Sequence, residues 1–325
     1  MNRSSRIPAQ LRAAFLAAAI LTPLIGWAVD GPPEWAYPIN PPRPKPALDD
    51  GVLRRVHDSD VTYTVTQLRD PFITPVWFPA EHPVLPTVVG HGRKPDVYAC
   101  GYCHLADGSG GPESSTLAGL PKEYIIRQLN DFRSGARRTA VPKRNIDLMI
   151  GLTKTLSDEE MASAAIYFSA LVPSRHIAVV ETQTAPKTFI TGSHLAILEP
   201  EEKEPLGLRI VEVPDNLEQM HLGDPHAHYV AYVPPGSLHR GEMLVTTGGE
   251  GKTLACTGCH GDDLRGVGPI PRIAGRSCSY IVRQLYDIKH GFRGGALIAP
   301  MREVVASLDE GDMIAIAAYL AAQDP

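Results

Sequence analysis

The pentapeptide Cys100-Gly-Tyr-Cys103-His104 returns 156 residues later as Cys256-Thr-Gly-Cys259-His260, and it does not return alone. Leu117-Ala118-Gly119 recurs at the same offset as Ile273-Ala274-Gly275, and Tyr124-Ile-Ile-Arg-Gln-Leu129 as Tyr280-Ile-Val-Arg-Gln-Leu285. Further on the offset falls to 152, pairing Met149 with Met301, Leu156 with Leu308 and Tyr167 with Tyr319. One register with a single gap thus covers about seventy residues of each half, the signature of a duplicated domain.

Each half reads as mainly helical. Ile125, Leu129 and Phe132 fall on one face at helical spacing, as do Ile281, Leu285 and Ile288 in the copy. A second helix opens on a capping signal, Ser157 with Glu160 three residues on and Asp309 with Asp312 in the copy. Its apolar stripe is Met161, Ala164, Ala165 and Phe168, repeated as Met313, Ile316, Ala317 and Leu320. A shorter helix is expected before each pentapeptide, around Thr87 to Gly90 and Leu238 to Thr246.

The pentapeptide has a chemical reading. Two thiols three residues apart on a helical turn reach the two vinyl groups of one haem, and the adjacent histidine lies under the iron. A thioredoxin-like dithiol would not need the histidine. A zinc site would gain little from a histidine placed directly after a ligand cysteine. A plain disulfide remains open to an exported chain. Two occurrences at equivalent places of a repeat favour two covalently attached haems, held by Cys100, Cys103 and His104 and by Cys256, Cys259 and His260.

The repeat also nominates a second axial ligand. Met149 and Met301 lie 45 residues after His104 and 41 after His260, each just before the last helix of its half. A neutral thioether favours ferrous iron and raises the potential. Met161 and Met313 also match, but they sit on an apolar stripe and read as core. Met220 and Met243 have no mate in the other half. Pro300 favours an extended approach of Met301 to the iron, a help that Leu148 does not offer. His82, His91, His239 and His290 lie near the haem segments and read as surface or hydrogen-bonding residues, with ligation as the alternative. Cys278, the odd fifth cysteine, reads as a buried inert thiol near a helix start rather than an iron ligand or crosslink.

Outside the repeats the texture changes. Residues 1–28 read as an export signal: Arg3, Arg6 and Arg12 precede the apolar run Ala13 to Ile25, and Gly26-Trp27-Ala28 offers a cleavage point. An uncleaved anchor is the alternative, although Ala13 to Val29 is at the short limit for spanning. Residues 29–80 form a Pro-rich arm. Its first part, with prolines at 32, 33, 38, 41, 42, 44 and 46, excludes helix and inner strand, and Trp35 and Tyr37 give it something to bury. Val61 to Leu68 reads as a strand or a short helix. Residues 174–235 read as a strand-rich connector, with β-branched runs at His176 to Glu181, Lys187 to Leu198, Leu208 to Val213 and His228 to Val233. The haem-bearing domains then occupy 81–173 and 236–325. A net charge of −5 gives no basic surface for nucleic acid.

Taken together, the Cys-x-x-Cys-His start, the Leu/Ile-Ala-Gly and Tyr-Ile-x-Arg-Gln-Leu segments, the late methionine and the capped Ala-Ala-x-Tyr helix resemble class I cytochrome c domains in tandem. The resemblance covers about residues 85–173 and 236–325. It implies His104/Met149 and His260/Met301 ligation of two haem irons and a one-electron carrier in the periplasm. Such a carrier has a redox protein as donor and another as acceptor, no small-molecule substrate, and a role as the electron-transfer subunit of a dehydrogenase complex within reach. A two-haem enzyme of peroxidase or thiosulfate-oxidising type is the alternative. The arm and the long connector depart from the family's compact pattern.

Overall fold

In each repeat the last helix is started by a reciprocal cap. Ser157 Oγ accepts from the Glu160 amide at 3.2 Å while the Glu160 carboxylate accepts from the Ser157 amide at 2.8 Å. Asp309 and Asp312 do the same at 2.8 and 3.0 Å, satisfying amides a helix start otherwise leaves open. The computed structural model describes residues 31–39, 41, 48–192 and 194–325. The expected export signal and residues 29, 30, 40 and 42–47 of the arm lie outside them. The unit Pro32–Pro325 holds both repeats, the connector and almost all of the arm.

Among the described residues the helices run α1 (Val65–Arg69), α2 (Thr87–Gly90), α3 (Cys100–His104), α4 (Lys122–Arg133), α5 (Arg144–Thr155) and α6 (Asp158–Ser169) through the first repeat. Then come β1 (Ile177–Glu181), β2 (Thr184–Pro186), β3 (Thr188–Thr191), β4 (His194–Ile197), β5 (Lys203–Pro205), β6 (Val211–Pro214), α7 (Leu217–Leu222) and β7 (Tyr229–Val233). The second repeat holds α8 (Ser237–Thr247), α9 (Thr257–His260), α10 (Cys278–Lys289), α11 (Ala299–Val305) and α12 (Glu310–Ala322). The ambiguous run at 61–68 resolves as α1, because Thr64 and Gln67 form a capping box there.

Residues 177–233 carry seven short strands. β7 lies between β1, to which it is parallel, and β6, to which it is antiparallel; β2–β5 and β3–β4 are antiparallel pairs. A parallel β1–β7 pair needs a long crossover, and residues 182–228 supply it.

Two apolar clusters organise the unit. In the first repeat Val89, Val97, Leu120, Ile125, Ala165 and Phe168 form a small core between α2, α4 and α6. The second repeat's cluster is larger. It joins Val282 and Leu285 of α10 and Ile314 and Ile316 of α12 to Val233 of β7 and to Tyr37 of the arm. Met161 and Met313 are both buried, Met313 within the second cluster, and Cys278, fully buried at the first turn of α10, turns its thiol to the Ala317 carbonyl at 3.6 Å.

Two expectations need correction. The arm contains one 3-10 turn, Glu34–Ala36, with the Ala36 amide on the Pro33 carbonyl at 2.9 Å. Glu34, Trp35 and Ala36 interrupt the prolines and keep their N–H groups, so one turn closes. Nor is Met301 approached by extended chain. Pro300 sits in the first turn of α11, where its missing N–H costs nothing, and Met301 comes next on the helix. Met149 is likewise helical, within α5. The two helices differ in length, α5 having 12 residues and α11 having 7. That difference is a little over one helical turn.

Candidate haem sites

α3 presents Cys100 and Cys103 three residues apart on one turn. In the copy, Cys256 is the N-cap of α9 and already has helical φ and ψ of −65° and −33°. The histidine after each pair is fixed the same way in both. His104 Nδ1 lies 2.8 Å from the Ser115 carbonyl, and His260 Nδ1 lies 2.8 Å from the Pro271 carbonyl. A carbonyl only accepts, so Nδ1 carries the proton and Nε2 keeps its lone pair for a metal. Burial lowers the pKa of both rings, with the carbonyl bond opposing it, and holds them neutral. Burial pushes the Cys100 thiol up to about 12 and the Cys256 thiol up to about 11, so both are uncharged members of an apolar wall.

The loop after each histidine is shaped by glycine. Gly119 and Gly275 have φ of +69° and +65°, and their amides donate to the Phe168 and Leu320 carbonyls at 3.0 and 2.8 Å. A Cβ at Gly119 would meet Pro173 at 3.0 Å, and one at Gly275 would meet Pro325 at 2.7 Å. These contacts tie the loop to the end of the last helix of each repeat.

Beside His104 lies a cavity of about 600 Å³, bounded by Cys100, Cys103, Leu120, Phe168 and Met149 among others. Its size and apolar lining suit a cofactor. Met149 therefore shares a cavity with His104. In the second repeat Met301 and Cys256 both pack against the large core. The connector adds Met220, His194 and His221 to the wall of the first cavity. Sequence reasoning set Met220 aside for having no mate in the other half and did not single out His194 or His221, which no local signal marks. Of the histidines near the haem segments, His82 Nδ1 lies 3.3 Å from the Tyr167 hydroxyl and 2.9 Å from the Pro83 carbonyl.

Where the two repeats meet, equivalent residues cross over. Arg137 donates to Tyr280 Oη at 3.2 Å and Gln284 Oε1 at 3.1 Å, while its mate Arg293 donates to Tyr124 Oη at 3.0 Å and Gln128 Oε1 at 3.1 Å. The backbone crosses too, Arg138 N to Phe292 O at 2.8 Å and Gly294 N to Ala136 O at 2.7 Å. Arg272 and Arg276 are buried at the same junction. None of these four guanidiniums has a carboxylate within 4 Å among the described residues, and the Nε atoms of Arg272, Arg276 and Arg293 are buried with no partner. Burying cations this way is costly without anions. The propionates of two haems, four in all, would supply them, so the residues present fit the group.

No protein-family model matches the chain. It is 30% identical over 232 residues to the thiosulfate dehydrogenase electron acceptor of Thiomonas intermedia (strain K12), covering 70% of this chain and 80% of that one. The chain belongs to the two-haem class I cytochromes c. It is 26% identical over 229 residues to cytochrome c4 of Azotobacter vinelandii, covering 68% and 82% of the two chains. The solved structure of reduced recombinant cytochrome c4 from Pseudomonas stutzeri is 25% identical, with a TM-score of 0.46 over 69% of this chain and 93% of that one. As a member of this family the chain is an electron carrier with two covalently attached haem c groups.

Proposed function

We propose that this cytochrome accepts electrons in the periplasm from a dehydrogenase of a reduced sulfur compound, thiosulfate being the one named for its relative, and passes them singly to a terminal acceptor. The observation that carries the haem assignment is the repeated histidine-to-carbonyl bond, 2.8 Å in both halves. Cys100, Cys103, Cys256 and Cys259 would hold the two haems covalently, and His104 with Met149 and His260 with Met301 would be the axial ligands. The haem supplies reversible one-electron chemistry at iron. The chain's own residues keep the imidazoles neutral and oriented, exclude water through Leu120, Phe168 and the second core, and set buried guanidiniums toward the propionate side. The relative's name and the 80% of its length spanned support the choice of donor. No helix among the described residues is long and apolar enough to cross a membrane. The signal-like residues 1–28 support export, with the haem attached afterwards.

The test is stopped-flow mixing of the oxidised cytochrome with purified thiosulfate dehydrogenase and thiosulfate. Reduction of both haems within the dehydrogenase turnover time is expected. Reduction no faster than by thiosulfate alone would overturn the assignment of the donor.

A further inference from the structure

The two attachment turns are alike, but their surroundings are not, and the contrast holds at three equivalent positions. Tyr98 is covered by the Phe72 ring, edge-on at 5.3 Å, whereas its mate Leu254 is 60% exposed. Tyr102 lies under the arm, its hydroxyl 3.5 Å from the Arg69 carbonyl. At its mate Gly258, an added Cβ meets nothing within 4 Å among the described residues. Gly111 faces the connector, a Cβ there lying 3.1 Å from Tyr229 Oη, whereas its mate Val267 is 57% exposed.

Further contacts build the cover on the first turn around Ala99 and Gly101, while Cys103 stays exposed there as Cys259 does in the copy. Ala99 N donates to the Pro71 carbonyl at 2.9 Å. A Cβ on Gly101 would stand 2.5 Å from Thr74. Trp77, 2% exposed, donates its indole N–H to the Leu222 carbonyl at 3.0 Å and so ties the arm to α7 of the connector. Among the described residues the arm and connector, the parts that depart from the tandem pattern, meet beside the first attachment turn and leave Leu254, Gly258 and Val267 at the second uncovered.

We infer that residues 69–77 and α7 seal the attachment edge of the first haem, so that electrons enter and leave the protein at the second haem and reach the first through it. This rests on the haem assignment proposed above. A haem is joined to the chain along the edge that carries its thioethers, so that edge lies beside the Cys-x-x-Cys turn. Electron exchange with an outside reagent is fastest where that edge is least covered. Each exchange moves one electron: ferrous haem becomes ferric as the outside oxidant is reduced by one, and no proton or bond is transferred.

The experiment places the same charge at equivalent positions of the two turns, in Gly258→Glu and Tyr102→Glu, and follows oxidation of the reduced full-length protein by ferricyanide at about 0.1 M ionic strength, where a charge acts over about 10 Å. A new negative charge beside the exchanging edge repels the trianion. Gly258→Glu is expected to slow oxidation of both haems roughly fivefold, and Gly258→Lys to speed it by a similar factor. Tyr102→Glu is expected to stay within about twofold of the wild type, since its turn is not the place of exchange. Phe72→Ala, which thins the cover, should add a faster phase belonging to the first haem. Slowing by Tyr102→Glu as great as that by Gly258→Glu, or no response to charge at Gly258, would overturn the inference. Pyridine haemochrome on each variant counts the haems separately, so a count below two in the wild type would defeat the underlying assignment instead.

Discussion

The first and second repeats hold their histidines with one geometry and build very different cores behind them. In the first, twelve buried apolar residues form the cluster. In the second there are twenty-seven among the described residues: twenty from the repeat itself, and seven that join it, Ile177, Ile210, Tyr229, Ala231 and Val233 of the connector and Ala36 and Tyr37 of the arm. Tyr37 is anchored further by its hydroxyl, which donates to Asp287 at 2.9 Å. Local geometry follows local sequence, so it repeats. Core size follows both the apolar residues each copy supplies and what the rest of the chain packs against it, so it does not. The first repeat is left to draw more of its core volume from the haem itself.

The largest test of that comparison removes one haem at a time. Cys100→Ala with Cys103→Ala, and Cys256→Ala with Cys259→Ala, should each halve the haem content. The first pair should also open residues 81–173 to limited proteolysis, while the second leaves residues 236–325 resistant for much longer. Equal protease sensitivity in the two variants would break the comparison.

Next in size are the equivalent core residues Phe168 and Leu320, 1% and 3% exposed. Phe168→Ala should cost about 3–5 kcal/mol and Leu320→Ala about 2–5 kcal/mol in urea unfolding of the holoprotein. Since Phe168 also walls the haem cavity, its variant should shift the first haem's spectrum as well.

A smaller, pH-dependent effect separates the cavities. Burial pushes the His194 ring, on the wall of the first cavity, down to about 4, with the Glu113 carboxylate opposing the shift. Its folded value lies below the ordinary 6.5, so the folded state favours the neutral ring. The stability this gives is complete above the ordinary value and is lost as pH falls from there toward the folded one. Denaturation midpoints should drop over that acid range, and His194→Gln should flatten the drop. An unchanged slope in the variant would remove His194 as its source.

The smallest effects are at the caps. Ser157→Ala should cost about 1 kcal/mol. Asp309→Ala should cost somewhat more, because Asp309 also pairs with Lys252 at 2.9 Å near the surface, a contact worth up to about 1 kcal/mol.

Much of this was legible in the sequence where the cause is local. The cap residues Ser157 and Asp309, the α4 and α10 stripes, the pentapeptide turns and the buried methionines Met161 and Met313 all come from spacing and repeat register. The strand runs of the connector were visible too, though not that β1 and β7 would pair in parallel across the crossover. Pro300 misled, because a proline serves a first helical turn as well as an extended approach, and only the conformation of the residues after it separates the two. What no local pattern carries is long-range placement. Tyr37 against α10, Trp77 against α7, Arg137 crossing to Tyr280, and Met220, His194 and His221 on the first cavity wall each join segments far apart in the chain.

In the proposed ligation both repeats hold a haem whose iron is closed on one side by histidine and on the other by methionine. Carbon monoxide titration of the reduced native protein near neutral pH tests it most directly, because carbon monoxide binds ferrous haem only where the sixth position is open or loosely held. Negligible binding at either haem is expected. Rapid, stoichiometric binding at one haem would contradict it and would make that repeat a candidate reaction site.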